Sequence, residues 1–68
     1  MQTLVFNTKT KTATLYVGPR TSTQFIEKFE NVPTVKIEPN YYQVMQEIDE
    51  RVPVMRLPIS NTNMIIEK

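Results

Sequence analysis

Proline stands at positions 19, 33, 39, 53 and 58 of this 68-residue chain. A proline donates no backbone hydrogen bond, so it breaks a helix interior and within a sheet is confined to edges and strand ends. The chain is therefore cut into short segments, and each element has to fit between two interruptions. No apolar run exceeds three residues, Leu4-Val5-Phe6 and Met64-Ile65-Ile66 among them, which is far too short to span a bilayer as a helix. The N-terminus shows neither the charged start nor the apolar stretch of a signal peptide. The expectation is one cytoplasmic domain over residues 1–68, with no membrane association.

Valine, isoleucine and threonine supply 22 of the 68 residues. Their branched side chains lose rotamer freedom on a helix and suit a pleated sheet. Residues 3–7 and 12–17 alternate, with Leu4 and Phe6 on one face of the first and Ala13, Leu15 and Val17 on one face of the second. The polar stretch Thr8-Lys9-Thr10-Lys11 between them reads as a hairpin connection, and Gly18-Pro19 ends the second strand. Thr8, Thr10, Thr12 and Thr14 recur at strand period, which predicts a polar strand face with Lys9 and Lys11 on the other side.

Helix signals follow. Thr21 and Gln24 have the spacing of a capping box, with Ser22 and Thr23 as competing caps. Phe25, Ile26, Phe29 and Val32 then fall on one helical face. Asn40 and Gln43 repeat the capping pattern, and Tyr41, Val44, Met45 and Ile48 follow at i, i+3, i+4 and i+7. Strands are expected at 34–38, at 52–57 (short or at an edge because of Pro53 and Pro58), and at 63–67. The predicted fold class is α+β, in the order β-β-α-β-α-β-β. Two amphipathic helices would pack on one face of a small, mainly antiparallel or mixed sheet.

Eight basic and seven acidic residues leave a net charge of +1, with no histidine or cysteine. Thiolate nucleophiles, disulfides, Cys-based metal sites and His-assisted catalysis are thereby excluded. A single glycine leaves no phosphate-binding loop. Glu47, Asp49 and Glu50 read as a solvated face rather than a metal site, because their spacing fits no calcium loop. No cofactor and no enzymatic activity are expected.

What remains is binding. Lys9, Lys11, Arg20 and Arg56 could serve nucleic acid if the fold gathers them, but the middle third of the chain is acidic, which disfavours that partner. A small-molecule pocket between subunits is a further alternative. The preferred expectation is a non-enzymatic protein-binding module, a small regulator or inhibitor docking on a larger protein. Chains of this length without catalytic groups are common among phage and bacterial accessory proteins. The expected contact surface is the outer face of the second helix, Tyr42, Gln46, Asp49 and Glu50, where acids crowd the end that the helix dipole makes unfavourable to them. The 63–67 strand, apolar on both faces, offers an edge for a homo-oligomer.

Overall fold

A computed structural model describes residues 1–18 and 24–68. Among the described residues it holds seven strands and no α-helix: β1 Gln2–Asn7, β2 Thr12–Val17, β3 Gln24–Phe29, β4 Thr34–Ile37, β5 Tyr41–Glu47, β6 Arg51–Pro58 and β7 Thr62–Glu67. A 3₁₀ turn, Ile59–Asn61, joins the last two. The strands form two sheets, ordered β3-β2-β1-β7 and β4-β5-β6. All pairings are antiparallel except β1 with β7, which run parallel and bring the two ends of the chain side by side. The fold is all-β, not α+β, and no helix among the described residues is long and apolar enough to cross a membrane.

The core lies between the sheets. Leu4, Phe6, Ala13 and Leu15 from the first sheet pack with Val44 and Leu57 from the second and with Val32 from the connector between β3 and β4. The connector between β3 and β4 ties the layers together. Val32 is fully buried and its N–H donates to the Lys11 carbonyl at 2.8 Å, while the Asn31 carbonyl accepts from Glu47 N–H at 2.8 Å. Asn31 makes this bend at φ 56°, a left-handed conformation that asparagine tolerates.

Both helix expectations fail, for related reasons. In β3 the pairing with β2 shifts between Leu15 and Tyr16, so Ile26 is the extra residue of a bulge. A bulge places neighbouring residues in a relation that strict alternation forbids, and Phe25-Ile26 mimics a helical step. Phe25 and Ile26 are in fact exposed; only Phe29 and Val32 reach the core.

In β5 the mimicry has another source, burial on both faces. Val44 enters the core, whereas Met45 is buried on the opposite face beside Gln43, whose Nε2 lies 3.2 Å from the Met45 sulfur. Ile48, the supposed last member of the stripe, is 73% exposed in the turn after the strand. The proposed cap residues make other contacts. The Asn40 carbonyl accepts from Ile59 N–H at 3.1 Å, and Gln43 Oε1 accepts from Arg56 Nε at 3.1 Å. The first helix's proposed caps, Thr21, Ser22 and Thr23, lie outside the described residues.

The β1–β2 hairpin forms without an Asn-Gly turn because Asn7 supplies the turn chemistry. Its Oδ1 accepts from the N–H groups of Lys9 (2.9 Å) and Thr10 (3.0 Å), and Lys11 takes the left-handed position at φ 56°. The expected threonine row is consequently broken. Thr8 and Thr10 belong to the turn, where the Thr10 and Thr12 hydroxyls share a hydrogen bond of 2.8 Å.

Candidate functional site

The acidic segment that was expected to end a helix instead forms the tip of the β5–β6 hairpin. Glu47 and Arg51 are its last cross-strand pair, joined by an Arg51 Nε–Glu47 Oε2 contact of 3.2 Å. Both side chains are about half exposed, so the pair contributes little stability, on the order of 0–1 kcal/mol. Its use is geometric: it closes a three-residue turn, Ile48-Asp49-Glu50. The argument from an unfavourable helix dipole falls with the helix, since aspartate is an ordinary turn residue.

Around this turn the chain forms an open concavity of about 390 Å³ lined by Gln46, Ile48, Asp49, Glu50 and Val52. Three of the four residues expected to make partner contacts therefore come together. Tyr42 does not join them. It pairs across the sheet with Leu57 and shares the inward face with Val44, where it is half-buried. Gln46 and Val52 are opposed across the hairpin, and Gln46 Nε2 donates to the Glu30 carbonyl at 3.0 Å. Together with the Glu47–Asn31 backbone bond, this fixes the base of the tip to the inter-sheet connector.

Two residues of the concavity escaped sequence reasoning. The helical spacing puts Ile48 on the apolar stripe, and Val52, 39% exposed, reads as an ordinary strand residue. The signal was there in outline: an isoleucine directly followed by Asp49-Glu50 sits in a turn sequence, not inside an element. Among the described residues, no group of three or more acidic side chains converges closely enough to hold a metal ion.

Among the described residues, Arg56 lies apart from Lys9 and Lys11. Lys9 and Lys11 occupy the β1–β2 turn. Arg56 lies on the second sheet, stacked 5.3 Å from the Tyr41 ring centroid and hydrogen-bonded to Gln43. Arg20 lies outside the described residues. Lys11 shares a smaller concavity with Asn31, Pro33, Glu47 and Arg51, where an acid accompanies the two bases. No family model matches the chain, and no curated protein or solved structure matches it either.

Proposed function

We propose that this chain is a non-enzymatic protein-binding module, a cytoplasmic regulator or inhibitor that docks on a larger protein through the β5–β6 tip. The observation that supports this reading is the 73% exposed Ile48, set among Gln46, Asp49 and Glu50 on a hairpin whose base is hydrogen-bonded to the connector. A held turn presents its side chains with little ordering cost on binding. An apolar centre with an acidic, polar rim has the anatomy of a small contact patch. The complementary partner surface is an apolar depression bordered by lysine or arginine. Among the described residues, two lysines on one turn and Arg56 on the other sheet are a weaker basis for nucleic-acid binding.

Capture from cell lysate with the immobilised chain, repeated after nuclease treatment and across a salt series, tests the reading. The Ile48→Asp and Asp49→Lys variants should retain folding and bind the captured protein at least tenfold more weakly, about 1.4 kcal/mol. Unchanged affinity in the folded variants would rule the tip out. Binding that disappears with nuclease and falls steeply with salt would favour nucleic acid instead.

A further inference from the structure

Among the described residues the two sheets leave four strand edges, at β3, β7, β4 and β6. An open edge presents unused N–H and C=O groups, and proteins blunt such edges with bulges, prolines, charges or brevity. Three of the four are blunted. β3 carries the bulge at Ile26, followed by Glu27 and Lys28. β4 is four residues long and contains Lys36. In β6, Pro53 is followed by a bulge at Val54, and Arg51 and Arg56 lie along the strand. β7 is the least protected: its one charge is Glu67 at the end of the strand, and Thr62 to Ile66 is uncharged, proline-free and in regular register with β1.

The free side of β7 can be read from one hydrogen bond. The Glu67 carbonyl accepts from Thr8 N–H at 2.9 Å, so Glu67, Ile65 and Asn63 turn their backbone groups toward β1. By alternation, Thr62, Met64 and Ile66 turn theirs outward. On the core-side face of this edge Thr62 is buried and Met64 packs against the core, but the far end is uncovered. Ile66 is paired with the buried Phe6, yet is itself 53% exposed, and Ile65 on the other face is 42% exposed.

We propose that a second copy of this chain adds to the free edge of β7. The two β7 strands run antiparallel about a two-fold axis between the two Ile65 residues. Such an axis pairs residues whose numbers have a constant even sum. The register centred on Ile65 sets Met64 opposite Ile66 twice on the core-side face, Ile65 opposite Ile65 on the other, and Asn63 opposite Glu67. A shift centred on Met64 would oppose Thr62 to Ile66, and one centred on Ile66 would oppose Ile65 to Glu67. Only the Ile65 register matches apolar to apolar at positions 64, 65 and 66 and polar to polar beyond them. It also makes Met64 and Ile66 the hydrogen-bonded pair, as their outward backbone groups require. The product is one eight-stranded sheet in which the two β7 edges are paired. This interface uses a different strand from the docking tip, so either reading can fail alone.

The absence of cysteine from the chain makes the register directly testable. In the proposed dimer the two Ile65 residues form a non-hydrogen-bonded pair with Cα atoms about 4.5 Å apart, within the range of about 4.4–6.8 Å that a disulfide spans. Two Asn63 residues would be offset by four positions, roughly 13 Å along the strand. The wild-type protein should sediment as a dimer at micromolar concentration. On mild oxidation Ile65→Cys should convert almost wholly to covalent dimer, while Asn63→Cys stays unlinked. Ile65→Lys, which opposes two like charges, should sediment as a folded monomer. A monomeric wild type would overturn the proposal and leave the edge to a strand from another protein. Failure of Ile65→Cys to link, or equal linking at both positions, would overturn it as well.

Discussion

Val44→Asp should abolish cooperative folding. Val44 has no exposed surface and sits where the second sheet meets Leu4, Leu15 and Val32 in the common core. The substitution removes valine packing and buries a carboxyl group among aliphatic side chains. Charged or neutralised, that group lacks a partner, at a cost of several kcal/mol. Natural domains are stable by roughly 0.05–0.15 kcal/mol per residue, so one such defect is comparable to everything a small chain has in reserve. Loss of the near-ultraviolet circular dichroism signal and of any sigmoidal thermal transition would be the result. A variant that still melted cooperatively within a few degrees of wild type would show that residue 44 is not in the core.

Leu4→Ala should cost about 2–5 kcal/mol, the range for truncating a buried leucine. Leu4 is fully buried in β1, the strand to which both β2 and β7 are paired, opposite Leu15 on one side and Met64 on the other. A cavity here loosens the contact that joins the chain's first and last strands, and neither neighbour can swing in without leaving its ladder. The expected readout is a lower urea midpoint with an unchanged slope, the signature of lost stability without altered compactness. An unchanged midpoint would contradict the burial of Leu4 in β1, between β2 and β7.

The parts of the fold legible in the sequence are those where strands obey strict alternation. Residues 12–17 form β2 as expected, and Leu4 and Phe6 face inward as their spacing indicated. Proline marks the 52–57 strand as short or at an edge; it lies at an edge but is not short, running over Arg51–Pro58. What stayed hidden is the irregular part. The bulge at Ile26 and the two-sided burial of Val44 and Met45 both destroy the period of two, and each leaves a residue spacing close to that of a helix. The abundance of β-branched residues was the signal that should have outweighed those short periodicities, since helical spacing over two turns is weak beside composition over the whole chain. Of the candidate site, Gln46, Asp49 and Glu50 were legible as exposed polar residues near one another. Their true neighbours were not, because a hairpin tip brings Val52 opposite Gln46 and frees Ile48, whereas a helix would have buried it.

The claim that most of this account depends on is that a segment patterned like a helix ends as a strand with Ile48 held out to solvent. Thermal denaturation of Ile48→Ala tests it most directly. Surface substitutions usually change stability by less than about 0.5 kcal/mol, and 1 kcal/mol shifts the melting temperature of a domain this size by roughly 4–8 °C. The melting temperature should therefore stay within about 4 °C of wild type. A fall of more than about 8 °C, as loss of a buried isoleucine would cause, would contradict the exposed tip and return Ile48 to a core.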